Sequence, residues 1–129
     1  MKYLIVAALL VVGLSDAALA GDITRGSVWT NQRGSVMKIT FVSQLSNFRG
    51  TFTNNAADFA CKGIPYPVSG TNASIQVTFT VNFAKCRSAA TWRGNVQGLG
   101  MTVPWILKYV DQGGHPQTTT GFDFFWRSN

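Results

Sequence analysis

The chain has 129 residues, enough for one domain, and a net charge of +6 from 11 basic and 5 acidic side chains. It contains no glutamate and only one histidine, His115, so it lacks the carboxylate pairs of glycosidases and the ligand clusters of zinc hydrolases. The bases stand singly along the chain, without the run or stripe of a nucleic-acid binder, and read as a soluble basic surface. A Ser-His-Asp arrangement would have to use His115, which lies in a Gly/Pro/Thr loop with no nucleophile motif beside it. These residues point away from an enzyme and leave no metal site in view.

In chain order, Lys2, the apolar run Leu4 to Leu14 and the small residues Ala18-Leu19-Ala20 form the pattern of a signal peptide over 1–20, cleaved near Ala20. The run is short for a membrane span, the alternative reading. A secreted or periplasmic domain over 21–129 follows, with no membrane partner. Its segments alternate rather than follow a helical period. The clearest is Ala73–Phe83, where Ile75, Val77, Phe79, Val81 and Phe83 share one face. Further strands are expected at Ser27–Asn31, Val36–Val42, Asn47–Thr53, Tyr66–Gly70, Thr91–Val96, Thr102–Tyr109 and Thr118–Trp126.

Turn signals divide them: Gln32-Arg-Gly34, Ser43–Asn47, Gly70-Thr-Asn72, Gln97–Gly100 and Asp111–Pro116. Eight short strands fit an up-and-down barrel or a sandwich, and an eight-stranded barrel has room for one small ligand. Two longer connections, Asn54 to Pro65 and Ala84 to Ser88, carry Cys61 and Cys86. In an exported protein the two are expected to pair, closing a loop worth roughly 3–4 kcal/mol; free thiols or an intermolecular bridge are the alternatives.

Trp29, Trp92 and Trp105 fall on three different expected strands, with Trp126 near the C-terminus. They fill a core or wall a pocket. Asn31, Ser35, Ser88 and Asp123 sit near them at strand ends. An aspartate within Gly-Phe-Asp-Phe-Phe is either solvated at a strand edge or supplied with donors inside. Aromatic walls with a few fixed polar groups are what a small-molecule pocket needs.

Five segments, in order, resemble the avidin and streptavidin family: Gly26–Ser35, Arg49–Thr53, Ser88–Gly94, Trp105–Leu107 and Gly121–Phe125. The segment Cys61–Gly70 and the second cysteine just before Ser88 are similar to the dimeric bacterial members typified by rhizavidin. The resemblance implies an all-β, eight-stranded antiparallel up-and-down barrel that binds biotin as a ligand, with no cofactor. By position, Asn31 and Ser35 match donors to the ureido oxygen, and Asp123 and Asn54 match acceptors of ureido N–H groups. Ser88 matches a hydroxyl near the acid tail. Trp92, Trp105, Leu107 and Phe83 match apolar walls; the loop Asn54–Ile64 is expected to close over the site as a lid.

The chain departs from the family pattern at two site positions. Phe52 replaces a tyrosine that donates to the ureido oxygen, and Ala90 replaces a threonine that contacts the biotin sulfur. Between Lys108 and Thr120 there is no tryptophan to lend to a neighbour's pocket, which favours a homodimer. His115 stands near that place and reads as a solvated loop residue. The expected function is sequestration of biotin without conversion; the alternative is an avidin-like barrel with weakened affinity or another ligand.

Overall fold

A computed structural model describes residues 23–129. The expected leader over 1–20 and the expected mature start at Gly21 lie outside the described residues. Eight strands follow one another: β1 (Val28–Asn31), β2 (Val36–Val42), β3 (Asn47–Thr53), β4 (Pro65–Ala73), β5 (Gln76–Phe83), β6 (Ser88–Gln97), β7 (Gly100–Val110) and β8 (Pro116–Arg127). Each pairs antiparallel with the next, and β8 returns to β1 to close the barrel. Closure distinguishes this barrel from a sandwich and leaves no sheet edge unpaired.

Two expectations for the middle of the chain are corrected. Gly70-Thr-Asn72 is not a turn: β4 continues through it, pairing Gly70 with Phe79 and Asn72 with Val77. The turn is Ser74-Ile75, with Ser74 at φ 55°. Gly70 is there for space, because a Cβ would collide with the Phe48 ring and the β5 backbone. Ile75 consequently lies in the hairpin, 37% exposed, and does not share the inward row of Val77, Phe79, Val81 and Phe83. Period two carried the face correctly but not the point where the strand began.

The up-and-down order sorts the connections by end. Ser43–Ser46, Ser74-Ile75 and Gly98-Leu99 turn at one end, where Ile23 covers the core. The Trp29 indole N–H donates to Ser27 Oγ at 3.0 Å, and that hydroxyl donates to the Thr24 carbonyl at 2.6 Å. This end is closed and apolar, packed with Trp29, Met37, Ile39, Phe48, Val77, Phe79, Val96 and Phe125, all at most 2% exposed.

The loops 32–35, 54–64, 84–87 and 111–115 lie at the other end, which is open. There Cys61 and Cys86 form the expected disulfide, with Cα atoms 5.9 Å apart. Cys86 belongs to a single 3-10 turn (Ala84–Cys86) that follows β5 directly. The bridge therefore ties the long 54–64 loop to the rim of β5 and β6.

Candidate ligand-binding site

The inward rows change character along the barrel. On β1 the apolar Trp29 is followed two residues toward the open end by Asn31. On β8 Phe125 gives way to Asp123, and at the end of β3 Phe52 gives way to Asn54. Side chains two apart on a strand share a face, so these polar groups converge on the lumen. They line a cavity of about 540 Å³, within the range of small-molecule sites. Every site residue expected from the sequence lines it except Ser88.

Phe52 and Trp92 form the floor, with ring centroids 4.8 Å apart, and Trp92 stacks on Phe79 below at 4.9 Å. Trp105, Leu107, Ala90 and Phe83 form the walls. Trp105 can take its place because Gly121 lies opposite on β8, where a Cβ would penetrate the indole. Phe83 is held from both sides, by Phe59 of the 54–64 loop at 4.8 Å and by Tyr66 at 5.4 Å. The loop is folded over the mouth as a lid: its ends meet through a hydrogen bond from Gly63 N to the Asn54 carbonyl at 2.9 Å. Asn55, Ala56, Ala57, Asp58 and Phe59 add to the lining.

The polar groups are oriented before any ligand arrives. Asn31 Oδ1 accepts the backbone N–H groups of Arg33 (3.0 Å) and Ser35 (2.9 Å). That consumes the acceptor end of the amide and leaves its NH₂ to donate elsewhere. Ser35 Oγ accepts the Asn55 N–H at 2.9 Å and donates to Asn54 Oδ1 across a long 3.5 Å, a hydrogen that a closer ligand acceptor would take. Asn54 Oδ1 accepts the Ala56 N–H at 2.9 Å, which fixes the side chain at the start of the lid.

Asp123, 4% exposed, accepts the Trp92 indole N–H on Oδ2 at 2.8 Å and the Gln32 amide on Oδ1 at 3.1 Å. Arg33 Nε lies 3.5 Å from the same Oδ1. Oδ1 is thus crowded with donors, while Oδ2 keeps a lone pair for a ligand N–H. The site accordingly presents two donors together with carboxylate and amide acceptors within an apolar cup.

Gln32 and Arg33 were not singled out by sequence reasoning, which placed them in a turn and on a basic surface. Gln32 has a structural task, because β1 is only four residues long. It substitutes for the missing strand by donating to the Phe122 carbonyl at 2.9 Å and accepting the Phe124 N–H at 2.9 Å. The Ser88 side chain falls in the same alternation as Ala90 and Trp92 but closer to the rim. Its Oγ is buried without a partner. His115 is well exposed and lies 3.4 Å from Asp111 Oδ1. Among the described residues no cluster of three His, Cys, Asp or Glu side chains could hold a metal ion.

The sequence matches the model of the Avidin family over residues 20–128. The chain belongs to the avidin family. Hoefavidin from Hoeflea phototrophica is 30% identical, over 96% of this chain and 90% of its own length. Afifavidin from Afifella pfennigii is 35% identical over 64% of this chain, a stretch that spans only 57% of afifavidin. The barrel is similar to that in a bradavidin2–biotin complex, with a TM-score of 0.79 and 40% identity over 83% of this chain and 100% of that one. It is also similar to a rhizavidin–biotin complex, with a TM-score of 0.74 and 31% identity over 84% and 97% of the two chains.

Proposed function

We propose that this avidin-family chain is a secreted or periplasmic protein that captures biotin in the mouth of its barrel and leaves it chemically unchanged. The observation that carries the reading is the polarity of the preset groups. A cyclic urea has one acceptor oxygen flanked by two N–H donors. The Asn31 amide and the Ser35 hydroxyl are prepared to donate to that oxygen, while Asp123 and Asn54 are prepared to accept the N–H groups.

Accepting a urea N–H, the Asp123 carboxylate pushes charge toward the urea oxygen, where the two donors stabilise it. Trp92, Trp105, Leu107, Phe83 and Ala90 enclose the bicyclic rings. Because the donors and walls are fixed in advance and the lid is pinned by its disulfide, little ordering remains to oppose binding. Phe52 contributes packing and no hydroxyl, which removes roughly 1.5–3 kcal/mol of hydrogen bonding available to a tyrosine there.

We further propose a homodimer through the outer face of β7 and β8. Ile106, Phe122, Phe124 and Trp126 stand on that face at 40–51% exposure, on neighbouring strands in register. A contiguous aromatic patch of this kind on a closed barrel is best covered by a second copy of itself. Light scattering should give the mass of two chains, and Phe124→Lys should halve it.

Retention on biotin–agarose and elution by free biotin tests the central reading. Flow-through at micromolar protein would refute it.

A further inference from the structure

The turns of the closed end differ from those of the open end in what they expose. Single apolar residues on a surface are ordinary, but here they gather. Leu45, Ile75 and Leu99 stand at the tips of the three closed-end hairpins, Leu45 and Leu99 at 84% and 66% exposure. Among the described residues, the open-end loops 32–35, 54–64, 84–87 and 111–115 expose no large hydrophobic side chain. The tips are joined into one rim by backbone bonds. The Asn72 N–H donates to the Ser46 carbonyl at 3.0 Å, Val96 to Ile75 at 2.7 Å, and Arg127 to Leu99 at 2.9 Å. Phe41, one residue from the end of β2, is exposed as well, with the Arg49 guanidinium 5.5 Å from its ring centroid.

Charge divides the same way. The described acids, Asp58, Asp111 and Asp123, lie on the lid, in the β7–β8 turn and inside the cavity, all toward the open end. Arg25 precedes β1, Arg49 is near the start of β3, and Arg93 lies two residues from the Gln76–Asn95 pair at the start of β5. All three are exposed on the closed half, with no acidic side chain beside them among the described residues. Arg127 is at this end too, its Nε donating to the Asn129 oxygen at 2.8 Å. In sequence these bases stand singly and imply no membrane partner; the up-and-down order of the strands gathers them.

We propose that the closed end docks on an anionic lipid bilayer, with Leu45, Ile75 and Leu99 entering the interface and Arg25, Arg49 and Arg93 attracting the headgroup phosphates. A fluid bilayer can close around three separate tips, whereas a folded protein partner needs a contiguous apolar patch. Nucleic acid would engage the bases and leave the tips in water. Bases held near an anionic membrane surface each add to the attraction. The cavity mouth is at the opposite end of the barrel, so a docked chain keeps it open to solvent. Docking does not depend on the ligand's being biotin.

Co-sedimentation at physiological salt tests this with the oxidised mature chain and two kinds of vesicle, phosphatidylcholine alone and phosphatidylcholine mixed with phosphatidylglycerol. The wild type should partition onto the mixed vesicles about tenfold or more above the neutral ones. A Leu45→Ser, Leu99→Ser variant, unchanged in charge, should lose about tenfold or more on the mixed vesicles. An Arg25→Gln, Arg49→Gln, Arg93→Gln variant should lose a similar factor. The matched open-end variant, Lys62→Gln, Lys85→Gln, Lys108→Gln, should stay within about threefold of the wild type, because its bases lie farther from the membrane than a Debye length of about 8 Å. None of these changes touches the cavity or the outer aromatic patch of β7 and β8. Equal losses in the two base variants would reduce binding to net charge, and full binding by the leucine variant would reduce it to electrostatics. Either result, or no partition of the wild type onto the mixed vesicles, would overturn the proposal. Failure to bind biotin would refute only the function proposed above, a separate result.

Discussion

The closed end and the open end of the barrel are built from the same strands but obey different rules. At the closed end the inward residues are apolar and interlocked, and Phe79 lies between Phe48, Trp92 and Phe125. At the open end the next inward residues are Asn31, Asn54 and Asp123, each hydrogen-bonded to backbone or side chains that turn one end of its polar group toward the lumen. A floor that cannot shift allows polar groups above it to be held without occupants. Stability and recognition are therefore separable here, two residues apart on each strand.

Mutations should break that separation in a graded way. Phe79→Ala removes a fully buried ring from the floor and should cost about 3–5 kcal/mol of stability. Denaturant titration reads this as a lower midpoint, and biotin binding should weaken too, because Trp92 stacks on Phe79 and holds Asp123. Reduction of Cys61–Cys86, or the Cys61→Ser, Cys86→Ser pair, should cost about 2–4 kcal/mol. It should also speed ligand release beyond what the stability loss explains, because the lid that carries Phe59 is freed; stopped-flow displacement measures that rate. Asp123→Asn keeps the shape at the mouth but removes the carboxylate, and should weaken biotin binding by about 1.5–3 kcal/mol with a smaller change in denaturant midpoint. Phe52→Tyr should strengthen binding by about one to two decades, by adding a donor to the urea oxygen. Calorimetry gives both affinities.

The smallest effect concerns the β7–β8 turn. The backbone N–H of His115 donates to Asp111, at 2.8 Å to Oδ1, and holds its carboxyl below the ordinary value; Gln117 adds to this. A carboxyl depressed in the folded state contributes stability that is complete above its unfolded pKa and is lost as pH falls through the folded one. Stability measured against pH should therefore be flat near neutrality, with a slight loss confined to the acid side of the normal carboxylate range. Asp111→Asn should remove that acid-side slope. Solvent exposure keeps the effect small.

Much of the closed end was legible because it depends on period-two alternation and turn residues, which are local. The same local signals misplaced the β4–β5 turn. Gly70 looks like a turn residue in sequence, yet its role is to clear Phe48, which lies on another strand. At the open end, Asn31, Ser35 and Asp123 could be picked out because they stand in segments that resemble a family. Gln32 and Arg33, between two of them, could not. Their partners, Phe122, Asp123 and Phe124, lie about ninety residues away, and only closure of β8 onto β1 brings them together. The lid residues Asn55–Phe59 have no period at all; their position depends on the Cys61–Cys86 bridge and on Phe59 against Phe83.

The most direct test of the account is calorimetric titration of the oxidised mature chain with biotin, followed by mass analysis of the ligand released on denaturation. Saturation at one biotin per chain, with the ligand recovered at its original mass, is the predicted result. No saturable heat at micromolar protein, or a ligand recovered altered, would contradict it.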